Sequence, residues 1–116
     1  MEEGQPRRIL AEGNYVRLVA RGRWEWAERV NTSGAVVIVP VTTDRRLVLI
    51  EQYRVPIGAW VIELPAGLVG DDPGLAEERL IDAAQRELLE ETGYVAERWQ
   101  YLLEGPSTPG LASEGY

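Results

Sequence analysis

One stretch of this chain differs in period from everything around it, and it constrains the fold most. Across residues 75–92 apolar side chains recur at three- and four-residue spacing, with Ile81, Ala84 and Leu88 on one face. That is the pattern of an amphipathic helix. Gly93 follows where a helix C-terminal cap is expected. The surrounding chain has the period of strands. Residues 15–20 and 23–30 flank a turn at Arg21-Gly22 and predict a hairpin. Residues 35–41 form a continuous apolar run, as a buried strand does, and residues 47–53 pair with them across a polar turn. Residues 60–64 predict a short strand ending at Pro65, and residues 99–103 another. Residues 1–13 read as a loose polar lead-in, and 67–74 and 104–116 as loops. Strands before and after one helix predict an α+β sandwich in a single domain, residues 1–116.

The helix also carries the chemistry. In Gln85-Arg86-Glu87-Leu88-Leu89-Glu90-Glu91-Thr92-Gly93-Tyr94, Glu87 and Glu91 lie one helical turn apart with Glu90 between them. Like charges at that spacing destabilise a bare helix, so a positive partner is expected. Hard divalent cations favour oxygen ligands, and Mg²⁺ commonly takes one or two carboxylates alongside substrate phosphates. A solvated acidic helix face is the plain alternative.

Composition removes the other routes to catalysis. The chain has no Cys and no His, which excludes thiolate nucleophiles, zinc–thiolate sites and His-dependent triads. Hydrolytic chemistry would have to run on carboxylates, hydroxyls and hard metals. The net charge of −7 argues against a nucleic-acid partner. No signal peptide or apolar membrane-length run is visible, so the expected location is the cytoplasm, away from membranes.

The helix segment resembles the Nudix box, which is Gly, five residues, Glu, seven residues, then Arg-Glu-aliphatic-any-Glu-Glu-any-Gly-aliphatic. Glu78 is followed by seven residues and then Arg86-Glu87-Leu88-Leu89-Glu90-Glu91-Thr92-Gly93-Tyr94. The box Gly would fall at position 72, which is Asp72; the candidate glycine is Gly67, implying a five-residue insertion around Gly70 to Gly74. The last aliphatic position is Tyr94. The resemblance implies an α/β/α sandwich with a mixed sheet, and Mg²⁺ (or Mn²⁺) held by Glu87, Glu90, Glu91 and the Ala66 carbonyl. It implies that Arg86 orients the glutamates, with Glu78 as a possible ion-pair partner.

Three further segments resemble the ADP-ribose and nucleotide-sugar branch of that family. Glu51-Gln52-Tyr53-Arg54 resembles a motif whose Arg contacts substrate phosphate, a role the planar guanidinium suits. Glu63-Leu64-Pro65-Ala66-Gly67 resembles the segment leading into the box, which implies Glu63 as a substrate-binding residue. Ser107-Thr108-Pro109-Gly110-Leu111-Ala112-Ser113-Glu114 resembles a loop whose Glu lies near metal and substrate. The branch commonly dimerises through its N-terminal hairpin, here 1–31, leaving 32–116 as an incomplete catalytic core. Trp24 and Trp26 are then candidates for stacking on adenine.

The expected activity is metal-dependent hydrolysis of the diphosphate in a nucleoside-diphosphate sugar, ADP-ribose giving AMP and ribose 5-phosphate. The base would be Glu114, Glu90 or a residue beyond Tyr116, because the family pattern runs on past this C-terminus. The competing readings are a Nudix hydrolase for GDP-mannose or another nucleoside diphosphate derivative, a catalytically silent Nudix-fold binding module, and an unrelated α+β protein with an acidic structural helix.

Overall fold

The computed structural model describes residues 4–32, 34–70 and 79–116. The elements run β1 (Arg8–Glu12), β2 (Val16–Arg21), β3 (Trp24–Arg29), β4 (Gly34–Val37), β5 (Ile50–Arg54), a 3₁₀ turn (Val55–Ile57), β6 (Ala59–Glu63), β7 (Ala66–Val69) and α1 (Leu80–Thr92). They form an antiparallel sheet β1-β2-β3 and two antiparallel pairs, β4-β7 and β5-β6. The expected α+β class is borne out.

The N-terminal sheet is larger than the expected hairpin. Residues 8–12 are not a lead-in but an edge strand, with Arg8 opposite Ala20 and Glu12 opposite Arg17. Its one irregularity is a register shift between Ile9 and Ala11, the local bend that a bulge gives an edge strand. What holds β1 there is partly electrostatic. Arg7 and Arg17 both donate to Glu28 on β3, Arg17 Nε at 3.2 Å, and the Trp26 indole N–H donates to the same carboxylate at 3.1 Å.

One loop, one strand pairing and one strand expectation are corrected. The glycine-bearing segment after Pro65 begins as strand β7, its register matching Gly34 to Val69 and Val37 to Ala66. A Gly at 67 does not prevent a strand when a neighbour supplies the ladder. Residues 47–53 do meet residues 35–41, through a Val41–Leu47 bridge and a Val48 N–H to Pro40 carbonyl bond of 2.9 Å. The main ladders lie elsewhere, however: β4 pairs with β7, and β5 pairs with β6. Residues 99–103 form no strand, although their apolar pattern suggested one; Tyr101, Leu102 and Leu103 are exposed.

Helix α1 begins at Leu80, with Arg79 in extended conformation at its N-cap. The earlier start at residue 75 falls mostly on 71–78, outside the described residues, as do Glu78, Asp72 and most of the five-residue insertion. Gly93 ends the helix with φ 77°, its N–H bonded to the Leu89 carbonyl. A positive φ of this kind strains residues with a Cβ, so glycine suits the cap. The helix buries Ala83, Ala84 and Leu88, and Ile38 joins Ala84 and Leu88 in one cluster flanked by Val36, Ala96 and Trp99.

The C-terminal segment ties the two halves together. Ala27 N–H donates to the Leu111 carbonyl, and Ser113 N–H to the Ala27 carbonyl, so residues 111–113 run parallel along the outer edge of β3. Two residues on, the Gly115 carbonyl accepts from Ala35 N–H on β4. No described helix is long and apolar enough to cross a membrane.

The Glu28 network gives the N-terminal sheet an acid limit. Its hydrogen bonds, chiefly from Arg7, hold the Glu28 carboxyl at about 2, well below the ordinary 4.5. A depressed carboxylate stabilises the fold above its unfolded value and loses that contribution as pH falls towards its folded value. Tryptophan fluorescence should therefore report loosening of this sheet between about pH 4.5 and 2. Glu28→Gln should remove that transition and lower stability at neutral pH by about 1 kcal/mol.

Candidate functional site

The site is built where α1 crosses the outer edge of β7. The Ile38 N–H donates to the Pro65 carbonyl at 2.8 Å. In an antiparallel ladder hydrogen-bonded pairs alternate, so Val36–Gly67 is the next such pair. Ala66 and Leu68 therefore turn their backbone N–H and C=O away from β4. Both outward positions are met by helix side chains. Ala66 N–H donates to Glu91 Oε2 at 3.2 Å, and Arg86 Nη2 donates to the Leu68 carbonyl at 3.3 Å. The Ala66 carbonyl lies on the same edge as its N–H, beside Glu91.

Gly67 sits between these two positions, and its lack of a side chain matters. A Cβ there would overlap the Glu87 carboxyl group. Glu87 packs directly on the strand backbone, its side chain only 12% exposed, and Arg86 Nη1 holds it with a 2.8 Å bond. Arg86 also reaches Glu90 at 3.4 Å. Glu90 is 58% exposed and stands at the rim. The expected Arg86–Glu78 pair lies outside the described residues.

The β5-β6 hairpin brings Arg54 and Glu63 within electrostatic reach of Glu91. Arg54 donates to Glu63 through Nε at 2.9 and 3.2 Å and through Nη2 at 2.9 Å, a bidentate pair. This contact raises the Arg54 pKa further, and Arg54 also lies within the field of Glu91. Burial pushes the Glu91 carboxyl above its ordinary value; the Ala66 N–H pulls it down, Glu87 and Glu63 push it up, and Arg54 offsets part of this.

Arg54, Glu63, Ala66, Arg86, Glu87 and Glu91 are thus brought together as the sequence suggested, with Glu90 beside them. Trp24, Trp26 and Glu114 are held elsewhere. Trp26 is bound to Glu28 and lies under Arg21, whose guanidinium carbon is 6.0 Å from the ring centroid. Trp24 is exposed and paired with Arg23 at 5.4 Å. Glu114 accepts from Arg29 Nε on β3 at 2.9 Å. Sequence reasoning missed Arg29 and the Leu68 carbonyl. No local signal marks a partner 85 residues away, nor a backbone atom.

Among the described residues no three acidic side chains converge into a ready-made cation cage. The donor set nonetheless suits a hard divalent ion. Glu87, Glu91 and the Ala66 carbonyl offer oxygens only, and Mg²⁺ usually completes its shell with water and substrate phosphate.

The NUDIX domain family model matches residues 32–111, most of the chain and all the site residues on β5, β6, β7 and α1. The chain belongs to the Nudix family. This Nudix chain is 37% identical over 95 residues to a methanol dehydrogenase activator of Bacillus methanolicus, covering 80% of this chain and 48% of that protein. It is 33% identical over 95 residues to an ADP-ribose pyrophosphatase of Bacillus subtilis, again covering 80% and 48%. The crystal structure of an ADP compounds hydrolase matches with a TM-score of 0.74 at 27% identity, covering 95% of this chain and 60% of that one. The chain therefore spans about half the length of these two sequence relatives. The shared Nudix fold is that of mixed sheets with one helix among the described residues.

Two substitutions test the site geometry. Gly67→Ala would drive its Cβ into the Glu87 side chain, which must swing away from the strand, so thermal stability should fall by about 1–3 kcal/mol without loss of the fold. Calorimetry should also show divalent-cation affinity weakened about tenfold as Glu87 is displaced. Glu91→Gln acts through charge. A raised carboxyl pKa favours the fold below the unfolded value and ceases to do so as pH rises through the folded one. Metal-free Glu91→Gln should therefore melt higher than the parent at neutral pH, and that gain should vanish below about pH 4.5.

Proposed function

We propose that this chain carries the catalytic site of a Nudix hydrolase that cleaves the diphosphate of a nucleoside-diphosphate sugar, with ADP-ribose as substrate and AMP and ribose 5-phosphate as products. The observation that carries the reading is the packing of Glu87 and Glu91 against Ala66-Gly67, with Arg54 close enough to feel the Glu91 charge. The similarity to the Bacillus subtilis ADP-ribose pyrophosphatase and to the ADP compounds hydrolase structure supports the choice of substrate class.

Nudix hydrolases generally use divalent metals, and Mg²⁺, with Mn²⁺ as a substitute, is the cation proposed here. Glu87, Glu91 and the Ala66 carbonyl would hold it, with Glu90 at the rim. When bound, the cation supplies neutralisation of the diphosphate and activation of a water. The protein's own part is positional. Arg54 presents a planar donor edge to a phosphate. Arg86 fixes Glu87 and the β7 edge in one grip. Residues 1–116 hold no His, so within them the water's proton would go to a carboxylate, Glu90 or Glu114, with a residue beyond Tyr116 as the alternative. Glu114 would need to leave Arg29 to take that role. A homodimer formed through residues 1–31, with Trp24 and Trp26 meeting the base, and a cytoplasmic setting belong to the same proposal.

A second reading has its own support. The similarity to a methanol dehydrogenase activator supports a regulatory reading, in which the Nudix fold serves as a binding module.

Incubation of ADP-ribose with the protein and Mg²⁺, followed by chromatography, tests both. AMP release that falls at least about a hundredfold in Glu87→Gln and Glu91→Gln is the expected result. Binding of ADP-ribose with no AMP release would overturn hydrolysis and favour the regulatory reading.

A further inference from the structure

The Arg54–Glu63 pair is longer-reaching than its place in a hairpin suggests. The β5-β6 register sets Arg54 opposite Ala59 and Glu63 opposite Ile50. The two residues therefore begin at opposite ends of the ladder, four positions apart on the same face. At about 3.4 Å per residue that is roughly 14 Å of strand. The pair is nonetheless joined by three contacts between 2.9 and 3.2 Å. The Arg54 side chain must lie back along the hairpin towards Glu63, rather than project from the turn at Val55–Ile57.

This direction turns the guanidinium towards the Glu63 end of β6, where it lies within the field of Glu91. Glu63 takes the Nε and Nη2 donors, and among the described residues Nη1 has no hydrogen-bond partner, so it can donate to a phosphate. An arginine at a strand end would otherwise sample many rotamers, and each side chain ordered on binding costs affinity.

We infer that Glu63 is a positioning residue that lays Arg54 back along the β5-β6 hairpin and presents its guanidinium to the diphosphate, rather than a residue that contacts the substrate itself. This rests on the proposed diphosphate hydrolysis. It makes a prediction opposite in sign to the simple electrostatic one. A carboxylate near a dianionic diphosphate repels it, so removing the charge should tighten binding if Glu63 is only a neighbour. If Glu63 orients Arg54, removing the charge weakens binding.

The test is steady-state hydrolysis of ADP-ribose with Mg²⁺ by the full chain and by Glu63→Gln, Glu63→Asp, Arg54→Ala and the Glu63→Gln/Arg54→Ala double variant. Melting temperatures serve as the folding control. An ion pair this exposed contributes little to stability, so Glu63→Gln should melt close to the parent. The expected result is a KM raised about tenfold in Glu63→Gln with kcat nearly unchanged, and partial recovery in Glu63→Asp. The double variant should be no worse than Arg54→Ala, because the two residues act as one unit. A KM that is unchanged or lowered in Glu63→Gln, or a double variant whose losses add, overturns the inference while leaving the proposed function standing. A parent protein that neither hydrolyses nor binds ADP-ribose overturns the proposed function, and this inference with it.

Discussion

The outer edge of β7 carries backbone groups that β4 cannot reach, and much else in the site follows from how they are satisfied. A partly covered strand edge must find partners for its N–H and C=O groups. Here they come from one face of α1: Arg86 for the Leu68 carbonyl and Glu91 for the Ala66 N–H. The same contacts that dock the helix place its acidic residues against the strand. Gly67, between the two capped positions, gives Glu87 room to lie on the backbone. Register is decisive, because a one-residue slip of β7 would turn Ala66 and Leu68 towards β4 and remove both anchors.

Charge balance explains why so many acids can share this corner. Glu63, Glu87 and Glu91 raise the local negative potential, and burial adds to the cost of ionising Glu91. Arg54 and Arg86 offset part of it, each divided between two tasks. Arg86 bridges Glu87, Glu90 and the β7 backbone. Arg54 is bound by Glu63 yet lies within the field of Glu91. The remaining excess of carboxylate oxygen is what a hard cation and its phosphate ligands would use.

The N-terminal sheet stands on its own polar network around Glu28 and is joined to the rest through residues 111–115. That segment lies along β3 at Ala27 and against β4 at Ala35. The Arg29–Glu114 pair adds a side-chain tie at the same place. The loop bearing a candidate proton acceptor is thus held by a sheet assembled from the first thirty or so residues of the chain, which couples the placement of Glu114 to how that sheet is seated.

Helix α1, its glycine cap and its acidic face were legible in the sequence because they depend on near neighbours. A 3.6-residue period, a residue able to take positive φ at Gly93, and the spacing of Glu87, Glu90 and Glu91 are all local properties. Most strands were legible for the same reason, and the Nudix box narrowed the chemistry further. Residues 8–12 and 66–69 were misjudged because their strand character comes from partners, β2 and β4, rather than from their own polar or glycine-bearing composition. Residues 99–103 failed in the opposite sense, having strand-like composition but no ladder. Only the tertiary structure decided that Glu91 and Arg86 satisfy the β7 edge, that Arg54 turns back to Glu63, and that Glu114 pairs with Arg29. Each of these is a choice of partner across the fold, set by register and the directions of backbone groups, and local sequence spacing carries no record of it.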